Sequence, residues 1–115
     1  MEIKQAKTGP EEMSFYYRVP DAQNILQPAQ IDISEVQPGT WYINRLIVPK
    51  KVRGQGVATA LMQELVTWAN DNSIKLISEI NPYGDLDKEQ LIAFYQKFNF
   101  TLTKNQEGEF IIRKP

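Results

Sequence analysis

Between Trp41 and Asn72 the chain passes through three patterns whose order narrows the folds open to it. Trp41-Tyr42-Ile43-Asn44-Arg45-Leu46-Ile47-Val48 is rich in apolar and β-branched residues and reads as a buried strand ended by Pro49. Lys50, Lys51, Val52, Arg53, Gly54, Gln55 and Gly56 follow as a basic loop with two glycines. From Val57 to Asn70 apolar residues recur at helical spacing: Val57, Leu61, Leu65 and Trp68 form one stripe, flanked by Ala58, Met62, Val66 and Ala69. A strand, a glycine-rich loop and a helix make a cradle for phosphates. The helix N-terminus presents N–H groups without partners and the positive end of a dipole, and glycine lets the backbone approach closely. Arg53, Lys50 and Lys51 add formal charge.

The next apolar run, Ile74 to Ile80, reads as a second strand. Strand–helix–strand units this short cross over right-handed and leave their two strands parallel and adjacent. Ligands of such sheets bind at the carboxyl ends of the strands, where the loop lies. The rest of the chain supplies strands at Glu2–Ala6, Ser14–Val19 and Ala29–Val36, the last alternating, with Ile31, Ile33 and Val36 apolar against Asp32, Ser34 and Glu35. Pro20-Asp21, Gln37-Pro38-Gly39-Thr40 and Asn81-Pro82-Tyr83-Gly84 are turn signals, and the stretch from Asp21 to Pro28 fits either a short strand or an irregular connection. Asp87 with Gln90 forms a capping-box pattern opening a helix to about Phe98. Phe100–Lys104 and Glu109–Arg113 flank a turn and read as a terminal hairpin.

Composition removes several chemistries. The chain has 115 residues, so one domain, 1–115, is expected. It contains no cysteine and no histidine, which excludes Ser-His-Asp and Cys-His catalysis, an acyl-cysteine intermediate and the commonest metal ligands. No metal is expected. The formal net charge of −1 gives no sign of a nucleic-acid partner. Without a signal-peptide pattern or a long apolar run, a cytoplasmic protein without a membrane segment is the expectation.

The motifs and their order resemble the GNAT superfamily of acyl-CoA-dependent N-acyltransferases. Its loop fingerprint, [Gln/Arg]-x-x-Gly-x-[Gly/Ala], is matched by Lys51-Val52-Arg53-Gly54-Gln55-Gly56, preceded by Arg45-Leu46-Ile47-Val48 and continued by Val57-Ala58-Thr59-Ala60-Leu61-Met62. A second signature, near Phe/Leu-Tyr-x-Lys-x-Gly-Phe, is matched by Phe94-Tyr95-Gln96-Lys97-Phe98-Asn99-Phe100. The resemblance implies an α/β (α+β) fold with a mixed, mostly antiparallel sheet and a splayed central parallel pair. It implies acetyl transfer from acetyl-CoA to a primary amine by direct attack in a ternary complex. The cofactor-binding positions implied are Leu46, Ile47 and Val48 on the strand and Arg53, Gly54, Gln55, Gly56, Val57 and Ala58 on the loop and helix start. The backbone of Leu46 and Val48 would pair with pantetheine, and the amide near Leu46 would polarise the thioester carbonyl. Tyr95 stands where the family often has the acid that protonates the leaving thiolate.

The chain also departs from the family pattern. Lys51 replaces Gln or Arg, Asn99 replaces Gly, and Lys88 replaces an Asn used near the cofactor. Neither Tyr42 nor Asn44 supplies the general base that the central strand often carries, which leaves Glu79 and then Glu35. The two helices usual between the first two strands have no counterpart in the pattern before Trp41, so an open acceptor side is expected. The acceptor, small molecule or protein, is not specified by these residues, and exposed edge strands would permit a homodimer. Two other readings use the same motifs: an acyl-CoA-binding module without catalysis, and a non-enzymatic interaction scaffold.

Overall fold

The structure is a computed structural model that describes residues 2–18, 28–80 and 86–115. The turns expected at Pro20-Asp21 and Asn81–Gly84, and most of the ambiguous stretch after Pro20, lie outside the described residues. Seven strands form one sheet: β1 (Lys4–Gly9), β2 (Glu12–Tyr17), β3 (Ala29–Gln37), β4 (Thr40–Ile47), β5 (Lys75–Glu79), β6 (Thr101–Asn105) and β7 (Gly108–Arg113). Their spatial order is β1-β2-β3-β4-β5-β7-β6. Helix α1 (Val57–Asp71) links β4 to β5, and α2 (Lys88–Gln96) precedes β6. All neighbouring pairs are antiparallel except β4 with β5. This is the mixed, mostly antiparallel sheet with one central parallel pair that the sequence predicts.

That pair is splayed. β4 and β5 are in register only at Thr40–Lys75, Trp41–Leu76 and Tyr42–Ile77. β4 then stays with β3 as far as Ile47, while β5 follows β7. β1 and β2 are joined directly by Pro10 and Glu11, so no helices separate the first two strands.

The core lies where α1 crosses the sheet. Phe15, Ile31, Ile33, Ile43, Leu46 and Leu76 meet Val57, Leu61, Met62, Leu65 and Ala69 of the helix, all buried. Trp68, also on the helix, meets Trp41 and Phe15 edge-on, with ring centroids 5.2 and 5.8 Å away. Each fully buried aliphatic side chain contributes roughly 1.5–3 kcal/mol relative to exposure. α1 ends as the cluster Asn70–Ser73 predicts, with Ser73 in the left-handed region and Ile74 N–H returning to the Ala69 carbonyl at 2.7 Å. The capping box of α2 forms: Gln90 N–H donates to Asp87, and Asp87 N–H donates to the Gln90 side chain, at 2.8 and 3.0 Å. The helix stops at Gln96, two residues short of Phe98, and Asn99 takes the left-handed conformation with φ 70°.

Candidate active site

β4 carries a bulge. Asp32 faces Arg45, but the next residue of β3, Ile33, faces Ile43, leaving Asn44 without an opposite number. The extra residue resets the alternation of the strand. Trp41 and Ile43 point into the core before it, and Leu46 does so after it. With a regular ladder Arg45 and Ile47 would occupy that face. The bulge therefore turns Leu46 and Val48 toward α1.

There they meet the glycine loop. Lys50–Val52 makes one 3₁₀ turn, and Arg53 Nε donates to the Val48 carbonyl at 3.0 Å, fastening the loop to the end of the strand. Gly54 and Gly56 have φ of 81° and 78°, a region that costs L-residues with a Cβ about 1–2 kcal/mol. A Cβ added at either would meet nothing within 4 Å, so in the protein itself the demand is conformational, and the space beside each glycine is open to a ligand. Gly56 caps α1 without a side chain, and no acidic residue stands in the first turn. The N–H groups at the start of α1 and its dipole are thus open to an anion.

These parts enclose a cleft of about 430 Å³ lined by Leu46, Val48, Val52, Arg53, Gly54, Gly56, Val57, Ala58, Thr59, Leu86, Leu91 and Phe94. Most of the expected cofactor-binding positions thus share one cavity. Ile47 and Gln55 are not among the lining residues: Ile47 falls on the other face of the bulged strand, and the Gln55 side chain is exposed. The sequence reading missed Val52, Thr59, Leu86, Leu91 and Phe94. Leu91 and Phe94 are on the apolar stripe of α2, so helical periodicity marked them as core without marking them as cleft. The cleft has a polar end at the loop and an apolar wall from β4, α1 and α2, which suits a ligand with a phosphate at one end and an uncharged arm. A coenzyme A thioester has that form, and the open glycine positions and unopposed helix start fit its pyrophosphate.

Tyr95 does not line this cleft. It lies beneath it, 4% exposed, with its ring 5.7 Å from Phe94 and 5.1 Å from Phe100. Burial pushes the phenol above its ordinary value of 10.0, with the nearby Ser78 opposing the rise and Tyr42 adding to it. Tyr42 is raised as well, by burial and then by the charge of Glu79. Ser78, 5% exposed, was not singled out by any sequence pattern.

Glu79 opens on a second cleft, of about 420 Å³, whose lining includes Tyr42, Ile77, Ser78, Asn105, Glu107 and Glu109. Tyr42, Ile77 and Glu79 lie on the sheet face away from α1, so the clefts flank the splay from its two sides. Glu109 pairs with Lys88 at 2.7 Å, which gives a structural role to the lysine at the unusual position in α2. Glu35 accepts from Gly39 N–H at 3.3 Å in the β3–β4 turn, at the end of β4 far from the first cleft. Among the described residues no helix is long and apolar enough to cross a membrane.

The family model for acetyltransferases (GNAT) matches residues 13–100. No curated protein sequence matches the chain. Among solved structures it is similar to the anti-CRISPR protein AcrVA5, with a TM-score of 0.67 and 17% identity over 90% of this chain and 99% of that one. It is similar to the ribosomal-protein-S18-alanine N-acetyltransferase of Escherichia coli, with a TM-score of 0.67 and 16% identity over 90% of this chain and 68% of the other. An aminoglycoside 6'-N-acetyltransferase solved with coenzyme A gives a TM-score of 0.63 and 13% identity, over 91% of this chain and 73% of its own. At these identities the structures speak for the fold, and the family match covers both the bulged strand with its glycine loop and the helix of Tyr95. The chain belongs to the acetyltransferase (GNAT) family.

Proposed function

We propose that this protein transfers an acetyl group from acetyl-CoA to a primary amine, by direct attack within a ternary complex. The observation that carries the reading is the shared cleft. Leu46 and Val48 reach it from the bulged strand, and Gly54, Gly56 and the α1 N-terminus close its polar end. That a structural relative is solved with coenzyme A supports the choice of ligand.

Acetyl-CoA supplies an activated acyl carbon. Amides of Gly54, Gly56, Val57 and Ala58 hold its pyrophosphate, those of Arg53 and Gln55 being turned to the Lys50 and Val52 carbonyls, and the β4 backbone at Leu46 and Val48, beyond the last rung shared with β5, pairs with the pantetheine arm. The amine enters from the second cleft, where Glu79 and Glu107 favour a cation approaching and Glu79 accepts the proton that frees the nitrogen lone pair. As the C–N bond forms and the C–S bond breaks, the nitrogen releases its second proton to solvent and Tyr95 gives its hydroxyl proton to the departing sulfur. A phenol held above its ordinary value is protonated at neutral pH, as that role requires. Solvent returns the proton to Tyr95.

The test is thiol release from acetyl-CoA with spermine and a lysine-rich peptide as acceptors. Tyr95→Phe is expected to lower turnover by about 10²-fold, within the range of general acid catalysis, while acetyl-CoA affinity is kept. Unchanged turnover would remove the acid role from Tyr95. Binding of acetyl-CoA with no turnover of any amine would favour a binding module instead.

A further inference from the structure

A primary amine of the chain itself borders both clefts, and the mechanism above does not use it. Lys88 opens α2. Leu86 just before it and Leu91 one turn on line the coenzyme cleft. Its Nζ donates to Glu109 Oε1 at 2.7 Å, and Glu109 lines the second cleft. Lys88 thus belongs to the first cleft by its helix and to the second by its ammonium.

Glu109 brings that ammonium to the open end of the splay. Phe110, the next residue, pairs with Glu79, beyond Ile77, the last residue that β5 shares in register with β4. Alternation puts Glu109 on the face of the buried Ile111, toward α2. The ion pair is exposed, 51% at the lysine side chain and 33% at the carboxylate, and exposed pairs hold weakly. The ammonium sits on a flexible four-carbon stem, so it leaves Glu109 at little cost. Against Leu86 and Leu91 the charged form is disfavoured, so the nitrogen sheds one proton to solvent as it turns inward and gains a lone pair. Other lysines are placed differently. Lys50 is in the loop at the phosphate end of the first cleft, Lys75 at the paired start of β5, and Lys104 on the outer strand β6, across from Glu109.

We propose that Lys88 is a self-acetylation site, its nitrogen taking the acetyl group from acetyl-CoA bound in the same chain. The proposal rests on the reading of the first cleft as the acetyl-CoA site. The neutral nitrogen attacks the thioester carbon, and its bond to carbon forms as the C–S bond breaks. The nitrogen releases its second proton to solvent, and the sulfur is protonated and leaves as the thiol of coenzyme A. The product is an uncharged amide, so Glu109 loses its cation and the second cleft becomes more acidic.

The test is incubation of the intact protein with acetyl-CoA carrying a deuterated acetyl group, followed by protease digestion and mass spectrometry of each lysine. Lys88 is expected to take the label at least about tenfold faster than the exposed Lys104 and Lys114, as a tethered nucleophile does. Its rate stays the same when the protein is diluted at fixed acetyl-CoA. In the Arg53→Ala, Gly54→Val variant, Lys88 falls to the slow rate of Lys114. Labelling of Lys88 no faster than of Lys104 and Lys114, by a protein that binds acetyl-CoA in calorimetry, overturns the proposal and leaves the reading of the first cleft standing. A Lys88 rate that falls with dilution overturns it too, since one copy would then be modifying another. Absence of acetyl-CoA binding would instead remove the reading beneath it, and the proposal with it.

Discussion

Arg113, the last residue of β7, donates a 2.9 Å hydrogen bond to Asn70, near the end of α1. Its Nε donates a second, at 2.7 Å, to the Phe98 carbonyl just after α2. The residue is 6% exposed, and burial lowers the guanidinium below its ordinary value. One cation thus ties the ends of both helices that flank the cleft to the sheet.

Replacing it takes the donor from the half-buried Phe98 carbonyl, while the exposed Asn70 amide can turn to water. Arg113→Met is expected to lower the unfolding free energy by about 2 kcal/mol, the scale of a lost hydrogen bond to a charged group. Urea denaturation checks this. A change below about 0.5 kcal/mol would show that the carbonyl and amide find other donors.

Gly54 and Gly56 separate backbone strain from ligand contact. Gly56→Ala is expected to lower stability by only about 1 kcal/mol, since nothing in the protein crowds the new methyl. Acetyl-CoA affinity should fall by more than that, because the methyl would occupy space left for the pyrophosphate. Thermal melting and calorimetry on one sample compare the two. Equal losses would mean that strain alone accounts for the effect.

The bulge at Asn44 makes its own prediction. Deleting Asn44 removes the extra residue and leaves Leu46 and Val48 on the cleft face of a regular ladder. The deletion should retain cooperative unfolding and keep acetyl-CoA affinity within about threefold by calorimetry. A loss of about tenfold or more would show that the cleft needs the bulge itself and not only the face it gives β4.

Asp32 sets the acid limit of stability. Burial raises its carboxyl, but hydrogen bonds from Ser14, Arg45 and Gln30 and the charge of Arg45 outweigh it, and the net position is below 3.8. A carboxyl held lower in the folded state stabilises fully above the unfolded value, and the contribution is lost as pH falls through the folded one. Asp32→Asn should therefore cost about 1–2 kcal/mol at neutral pH, with the gap to the parent narrowing below about pH 4. Urea titrations at pH 7 and pH 3 measure it, and a constant gap would contradict the assignment.

Much of this was legible because the chain's periodicities are local. Alternation from Ala29 to Ile33 and the α1 stripe both follow from one face meeting a core, whereas Val36, read with that face, is exposed. The resemblance added the splay, which no periodicity reveals. The bulge left a trace that could have been read: the core residues Trp41, Ile43, Leu46 and Val48 are spaced by two, three and two. Ser78 and Arg113 left none, since their partners, Ile43 for one and Asn70 and Phe98 for the other, are brought to them only by the folded sheet. Tyr95 was found by motif, but its place beneath the cleft rather than in its wall required the fold.

The most direct measurement is calorimetric titration of the intact protein with acetyl-CoA, beside the double variant Arg53→Ala, Gly54→Val. The account predicts micromolar-range binding by the intact protein and its loss in a variant that still unfolds cooperatively. No binding by the intact protein would contradict the cleft's assignment and leave the fold as a scaffold.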